Sequence, residues 1–104
     1  MDTEKICFEM ICHVGDARSS FIEAIQQARQ KNFLRARELI ENGKVNYNLG
    51  HAVHARLIQQ EMEQDRHPLS LILVHAEDQL MSAENFKILS EDFLCLYQLL
   101  GKAR

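Results

Sequence analysis

The sequence predicts an all-α protein, an antiparallel three-helix bundle that runs up, down and up. Apolar residues recur at steps of three and four along almost the whole chain, which is the period of an amphipathic helix. One proline and four glycines are too few for the many turns of an all-β protein. The length of 104 residues, with 46% hydrophobic and 26% charged residues, is typical of one small folded domain, expected to span 1–104.

The first helix is expected over residues 4–30, where its apolar stripe begins at Cys7. Asp2 or Thr3 can cap its start, because short polar side chains accept the free N–H groups of a first turn. Gly15 lies inside this helix at a cost of about 1 kcal/mol relative to alanine. We therefore expect Gly15 to permit a close approach of another part of the molecule.

The second helix is expected over residues 32–64. Asparagines and glycines between residues 42 and 50 favour a turn by local propensity. The stripe nevertheless keeps its phase through them, which predicts one long helix. Its members are Phe33, Ala36, Ile40, Gly43, Tyr47, Gly50, His54 and Leu57.

The third helix is expected over residues 69–100. Pro68, a residue suited to the first turn of a helix, marks the break before it, and Gly101 ends it. Its first half, through the run Leu71–Val74, is apolar nearly all round. A helix that is apolar on every side needs burial on every side, which a three-helix monomer cannot easily supply. We therefore expect this segment to lie at an interface between subunits.

Composition excludes several classes of protein. A net charge of −3 argues against a dedicated nucleic-acid binder. Cys7, Cys12 and Cys95 form no paired motif, so all three are expected to be small core residues rather than disulfide or zinc cysteines. The N-terminus has no signal pattern, and the longest apolar run is far shorter than the ~20 residues of a membrane span. A cytoplasmic protein without membrane insertion is expected.

A polar stripe opens in the middle of the third helix. His75, Asp78, Gln79 and Ser82 share one helical face by their spacing. Two interpretations stay open at this point: His75 is an interface histidine hydrogen-bonded to Asp78, or it is a nucleophile or metal ligand. One His-x-x-Asp pair supplies too few ligands for a catalytic zinc.

Two other polar groups are weaker candidates for function. His51 and His54 are three residues apart on the second helix and could share a metal ion, although this spacing is common on helix surfaces. Asp16 and Arg18, beside Gly15, are expected to form a solvated polar face.

Two motifs together resemble a known family. Gly15-Asp16-Ala17-Arg18-Ser19 and His75-Ala76-Glu77-Asp78-Gln79-Leu80-Met81 are similar to segments of the enzyme IIA component of the lactose/cellobiose/diacetylchitobiose branch of the phosphoenolpyruvate-dependent sugar phosphotransferase system. The resemblance extends over residues 8–102, through Pro68 before the third helix and Leu96-Tyr97 near the C-terminus.

The resemblance implies a homotrimer of three-helix subunits that carries a phosphoryl group. It implies that His75 is phosphorylated, through Nε2, by the histidine-containing phosphocarrier protein and passes the group to a cysteine of enzyme IIB. It also implies that Asp78 gathers with its two symmetry mates around a metal ion with a structural role. Three carboxylates repel one another, so a divalent cation or protonation is needed there, and oxygen ligands favour Mg²⁺.

The chain departs from the family motif at two positions. The family commonly reads His-Ala-Gln-Asp-His, whereas this chain has Glu77 and Gln79. The negative charge of Glu77 is expected to disfavour a phosphorylated His75 slightly, and Gln79 can hydrogen-bond but cannot titrate.

These departures leave an alternative open, a regulatory or scaffolding trimer that has lost efficient phosphotransfer. A histidine-phosphotransfer domain of a two-component relay is a third interpretation, disfavoured by the apolar run Leu71–Val74. The transported sugar is not predicted, because by the resemblance the membrane-embedded enzyme IIC selects it.

Overall fold

A computed structural model of the chain describes residues 2–63 and 70–102. It contains α1 (Thr3–Arg29), α2 (Phe33–Met62) and α3 (Leu71–Lys102), packed as an elongated bundle of 58 × 20 × 15 Å. The predicted up-down-up bundle is confirmed, and the helix ends lie within about two residues of those expected. Pro68 and the expected start of the third helix at residue 69 lie outside the described residues.

The two ends of α1 are stabilised by different capping interactions. At the start, the Asp2 carboxylate accepts hydrogen bonds from the N–H groups of Glu4 (3.1 Å) and Lys5 (3.5 Å), as expected of a cap. At the other end, Lys31 adopts a left-handed conformation with φ of 69°. The N–H of Lys31 donates to the carbonyl of Ala28, and the N–H of Asn32 donates to that of Gln27. These two bonds are those of a Schellman motif, with lysine in the position that usually holds glycine.

The expectation that Gly101 ends the third helix is wrong. Both Gly101 and Lys102 are helical, and Gly101 has no positive φ. A glycine ends a helix only where it takes the left-handed conformation, so α3 continues past it.

One apolar core runs the length of the bundle and is centred on α1. The side chains of Met10, Val14 and Phe21 are fully buried between α2 and α3. From α3 the buried side is narrow, made of Ala76, Leu80, Ala83, Ser90 and Leu94. Helix α2 continues without a turn through residues 42–50, as its stripe predicted.

Two glycines of α2 allow α1 to come close. A Cβ added at Gly43 would stand 2.5 Å from the Phe21 ring, and one at Gly50 would overlap the Val14 side chain. A Cβ added at Gly15 would meet nothing within 4 Å. The expectation that Gly15 permits a close approach is therefore wrong, and Gly43 and Gly50 have that role instead.

The expectation for the cysteines is correct only for Cys7, which is buried. Cys12 and Cys95 are exposed, because neither falls on the buried stripe of its helix. Within the described ranges, none of the helices is long and apolar enough to cross a membrane.

The glycine contacts predict opposite effects of alanine. Gly15→Ala is expected to raise the free energy of unfolding by about 0.5–1 kcal/mol, because alanine favours a helix interior and the space is open. Gly50→Ala is expected to lower it by about 1–3 kcal/mol, because the new methyl group displaces Val14. Urea denaturation of the two variants checks both signs. Equal effects at the two positions would contradict this account of the α1–α2 contact.

Candidate functional site

His75 lies on the second turn of α3 and its side chain is exposed. The helix begins after Ser70, whose hydroxyl accepts the N–H of Leu73 at 3.3 Å and whose carbonyl accepts the N–H of Val74 at 3.1 Å. Asp78 is exposed one turn further along, and among the contacts of residues 70–102 no hydrogen bond joins it to His75. The interpretation of His75 as a histidine bonded to Asp78 is therefore not seen in this chain.

Large apolar side chains are left uncovered along the length of α3, and two of them, Val74 and Met81, lie close to His75 and Asp78 along the chain. We call this set the α3 seam; it comprises Leu71, Val74, Met81, Ile88, Leu89, Leu96 and Leu99, all exposed. Leu71 is 85% exposed and Met81 is 63% exposed. Val74, Met81 and Ile88 recur every seven residues, which is the repeat of a helix that packs against other helices along a coiled-coil seam. The imidazole and the carboxylate thus belong to a face suited to contact with another protein surface.

The four polar residues expected on one face of α3 do not share one environment, because His75 and Asp78 are exposed and the other two are not. Gln79 and Ser82 are half-buried, on the side that meets α1. The Nε of Arg18 donates to the Ser82 hydroxyl at 2.9 Å, and the Arg18 guanidinium lies 5.1 Å from the centre of the Phe86 ring. Asp16 is solvated as expected, but the same expectation for Arg18 is wrong. The two motifs that carry the resemblance are joined by this contact between α1 and α3.

Glu77 points to α2. Its two carboxylate oxygens lie 2.9 and 3.0 Å from Nε2 of His54. This contact holds the carboxylate on a different side of α3 from the exposed His75. The expected penalty of Glu77 on a phosphorylated His75 is reduced by this geometry.

The pairing also bears on the histidines of α2. The rings of His51 and His54 are 6.4 Å apart between centres, and Nε2 of His54 is already engaged by Glu77. Nowhere in residues 2–63 and 70–102 do three His, Cys, Asp or Glu side chains come together as a group able to hold a metal ion. A metal shared by His51 and His54 therefore has no support in these contacts.

Cys7 packs beneath the start of α3 and is the only buried cysteine among the described residues. Burial raises the pKa of its thiol, and the negative charge of Glu77 raises that pKa further. Cys7 is thus a packing residue with little thiolate character, whereas the His75 side chain is exposed.

Sequence reasoning missed the partners of two residues. His54 belongs to the predicted stripe of the second helix, a signal that it faces the bundle, but its bond to Glu77 depends on how α2 and α3 are aligned. The position of Arg18 beside buried Ala17 gave no comparable signal.

Comparison with known proteins agrees with the resemblance. The family model described as PTS system, Lactose/Cellobiose specific IIA subunit matches residues 5–98. The lichenan-specific phosphotransferase enzyme IIA component of Bacillus subtilis is 31% identical over 103 residues, covering 99% of this chain and 94% of that protein.

Two solved structures share the fold. The cellobiose-specific enzyme IIA of Bacillus anthracis superposes with a TM-score of 0.93 at 36% identity, covering 98% of this chain and 94% of that one. The IIA(chitobiose) chain of an Escherichia coli IIA(chitobiose)–HPr complex superposes with a TM-score of 0.82 at 28% identity, covering 97% of this chain and 98% of that one.

The contact between His54 and Glu77 is expected to hold α3 against α2. In a double-mutant cycle of His54→Ala and Glu77→Gln, the coupling free energy is expected to be about 0.5–1 kcal/mol, because the carboxylate is bidentate and His54 is largely buried. Urea denaturation measures it. The matched control is the exposed Arg56–Glu9 pair, for which a smaller coupling is expected. Equal couplings in the two cycles would contradict a special role for the pair beside His75.

Proposed function

Because the chain belongs to the lactose/cellobiose-specific IIA family of the sugar phosphotransferase system, we propose that it carries a phosphoryl group on His75 during disaccharide uptake. His75 receives the group from the phosphocarrier protein HPr and passes it to a cysteine of a cognate enzyme IIB. The observation that carries the proposal is the exposed imidazole of His75 within an uncovered apolar face. A relative of the same fold that is solved in complex with HPr supports the choice of donor.

The chemistry needs one nucleophile and two docking partners. The lone pair of neutral His75 attacks phosphorus, the new N–P bond forms, and the N–P bond to the histidine of HPr breaks. In the second step a thiolate of enzyme IIB attacks the same phosphorus, and the His75 N–P bond breaks. Each step is favoured mainly by in-line positioning, so an exposed side chain on a rigid helix is sufficient.

The start of α3 provides a favourable field for this group. His75 is five residues along the helix, and helical side chains tilt toward the N-terminus, where the unpaired N–H groups carry a partial positive charge. A phosphoryl group on His75 is attracted by that charge. Glu77 is the acidic residue nearest to His75 along the chain, and its contact with His54 of α2 holds it on a different side of α3, which limits repulsion of the phosphoryl group.

The assembly we propose is a homotrimer in which three copies of α3 pack along the α3 seam. Eight of the fourteen exposed large apolar side chains in the described ranges belong to α3, and the family resemblance implies three subunits. Burial of this face removes the apolar surface that one chain leaves in water.

A divalent cation, most suitably Mg²⁺, fits the trimer at Asp78. One chain offers a single exposed carboxylate at this point, and its described residues hold no group of three ligands. Three Asp78 carboxylates on one axis supply the oxygen ligands that Mg²⁺ prefers, and the cation offsets their repulsion. Its role here is structural.

Phosphorylation of His75 is the direct test. Incubation with phosphoenolpyruvate, enzyme I and HPr is expected to add one acid-labile phosphoryl group, read by intact mass. His75→Ala is expected to abolish the addition, because the nucleophile is lost. His51→Ala, at another exposed histidine, is the matched control and is expected to leave it unchanged.

Two outcomes contradict the proposal. Label that persists in His75→Ala assigns the nucleophile to another residue. No label on a folded trimer favours the regulatory or scaffolding alternative.

The trimer and its cation are tested together by light scattering after gel filtration. The protein is expected to have three times the chain mass, and a chelator is expected to lower its midpoint of thermal unfolding because Asp78 carboxylates then repel. Asp78→Asn is expected to remain trimeric and to lose this sensitivity to the chelator.

A second pair of variants tests whether the trimer interface lies along the α3 seam. Ile88→Glu, in the α3 seam, is expected to dissociate the trimer, whereas Leu34→Glu, an exposed leucine of α2, is expected to leave it intact. A trimer unaffected by Ile88→Glu would contradict the assignment of the seam.

A further inference from the structure

The end of the bundle opposite His75 is strongly basic. We call residues 24–37 and 93–102 the basic end: they contain five lysine and arginine residues and no acidic residue. Removing these five charges from the whole-chain net charge of −3 leaves −8 for the rest. The five are Arg29, Lys31, Arg35, Arg37 and Lys102, and all are exposed. At 1.5 Å per helical residue the α3 part of the basic end lies between ~27 and ~40 Å from His75.

Two of these charged residues are not at positions where a lysine or arginine would be favoured for the stability of the helix. Lys31 occupies the left-handed position of the Schellman motif, where glycine is favoured and a side chain costs about 1 kcal/mol. Arg35 lies in the first turn of α2, which has no acidic residue and where the helix dipole disfavours a cation. Its bond to Glu38 at 3.2 Å lies at the border of the basic end and is solvent-exposed. Lys31 and Arg35 thus place a positive charge where the local backbone conformation or the helix dipole favours another residue.

Exposed apolar side chains lie among the charges. Leu34, 78% exposed, lines an open groove with Phe33, Lys31 and Arg35, and Glu38 lies at the edge of the same groove. On the other side of Lys31, Leu100 lines a second groove with Arg29 and Tyr97. Cations interleaved with exposed apolar and aromatic side chains are typical of surfaces that bind anionic bilayers.

We propose that the basic end is a peripheral docking surface for an anionic lipid bilayer. The charges bind lipid phosphates, while Leu34 and Leu100 reach the boundary with the acyl chains. The preference for a planar partner over an acidic peptide rests on the trimer proposed above. Helices that pack along the α3 seam run parallel to the trimer axis, so three basic ends lie in one plane. His75 then points away from the lipid and stays accessible to HPr.

Flotation with vesicles tests the proposal on the full chain. Binding is expected to vesicles of equal parts phosphatidylglycerol and phosphatidylcholine at low salt, but not to pure phosphatidylcholine, and it is expected to disappear at high salt. Each substituted position removes one charge from every chain of the trimer and is expected to weaken binding at least about fivefold, so Lys31→Gly with Arg35→Gln weakens it at least about 25-fold. Lys5→Gln with Arg56→Gln removes two charges outside the basic end and is expected to change binding less than about twofold.

Lys31→Gly alone separates binding from folding. Relief of the left-handed conformation is expected to raise its midpoint of thermal unfolding, while its vesicle binding falls at least about fivefold. A merely structural role for Lys31 would not lower binding in a more stable protein.

Three results would overturn the proposal: no binding to phosphatidylglycerol vesicles at low salt, equal binding to pure phosphatidylcholine, or equal losses in the two double variants. Phosphorylation of His75 and the mass of the assembly are measured on the same samples. Lost phosphorylation with retained vesicle binding contradicts only the carrier function, and the reverse result contradicts only the membrane surface.

Discussion

The close approach of α1 and α2 determines how much of the α3 surface is buried. Phe21 and Val14 lie against the backbone of α2 at Gly43 and Gly50, so these two helices form a tight pair. Helix α3 then rests on the side of α1 that remains, through narrow contacts that include Ala76 and Ser90. Small residues bring it near but cover little of its circumference. A wide apolar face of α3 is therefore left in water, and the candidate site lies on that face.

The rotation of α3 about its own axis places His75 and Asp78 on the uncovered side. Contacts between small apolar side chains alone do little to fix the rotation of α3 about its axis, because such surfaces have few projecting groups that interlock. Polar contacts add direction: Glu77 bonds His54 of α2, and Ser82 accepts a hydrogen bond from Arg18 of α1. Further along, Glu91 pairs with Lys44, which lowers the pKa of the carboxyl and raises that of the amine. These contacts lie on the two flanks of the buried side and keep the nucleophile directed outward.

Periodicity predicted what depends on one helix at a time. The three helices and the unbroken course of α2 follow from spacing along the chain. What the sequence did not predict depends on pairs of helices. Gly15 and Gly50 are both glycines within a predicted helix and cannot be told apart in the sequence. Only the axial alignment of α1 with α2 shows that Gly15 is open and that Gly50 is in close contact. The partners of Arg18 and Glu77 were missed for the same reason, because the alignment of three helices decides which side chains meet.

An exposed nucleophile is what two successive protein partners require. A pocket would fit one donor or one acceptor, whereas an imidazole on an uncovered helix face can meet different surfaces in turn. The cost is apolar surface in water, which the proposed homotrimer along the α3 seam would remove while leaving the N-terminal turns of α3 reachable. In the proposed function, the five cations of the basic end lie away from His75, between ~27 and ~40 Å along α3, where they do not form competing contacts with a phosphoryl group on His75.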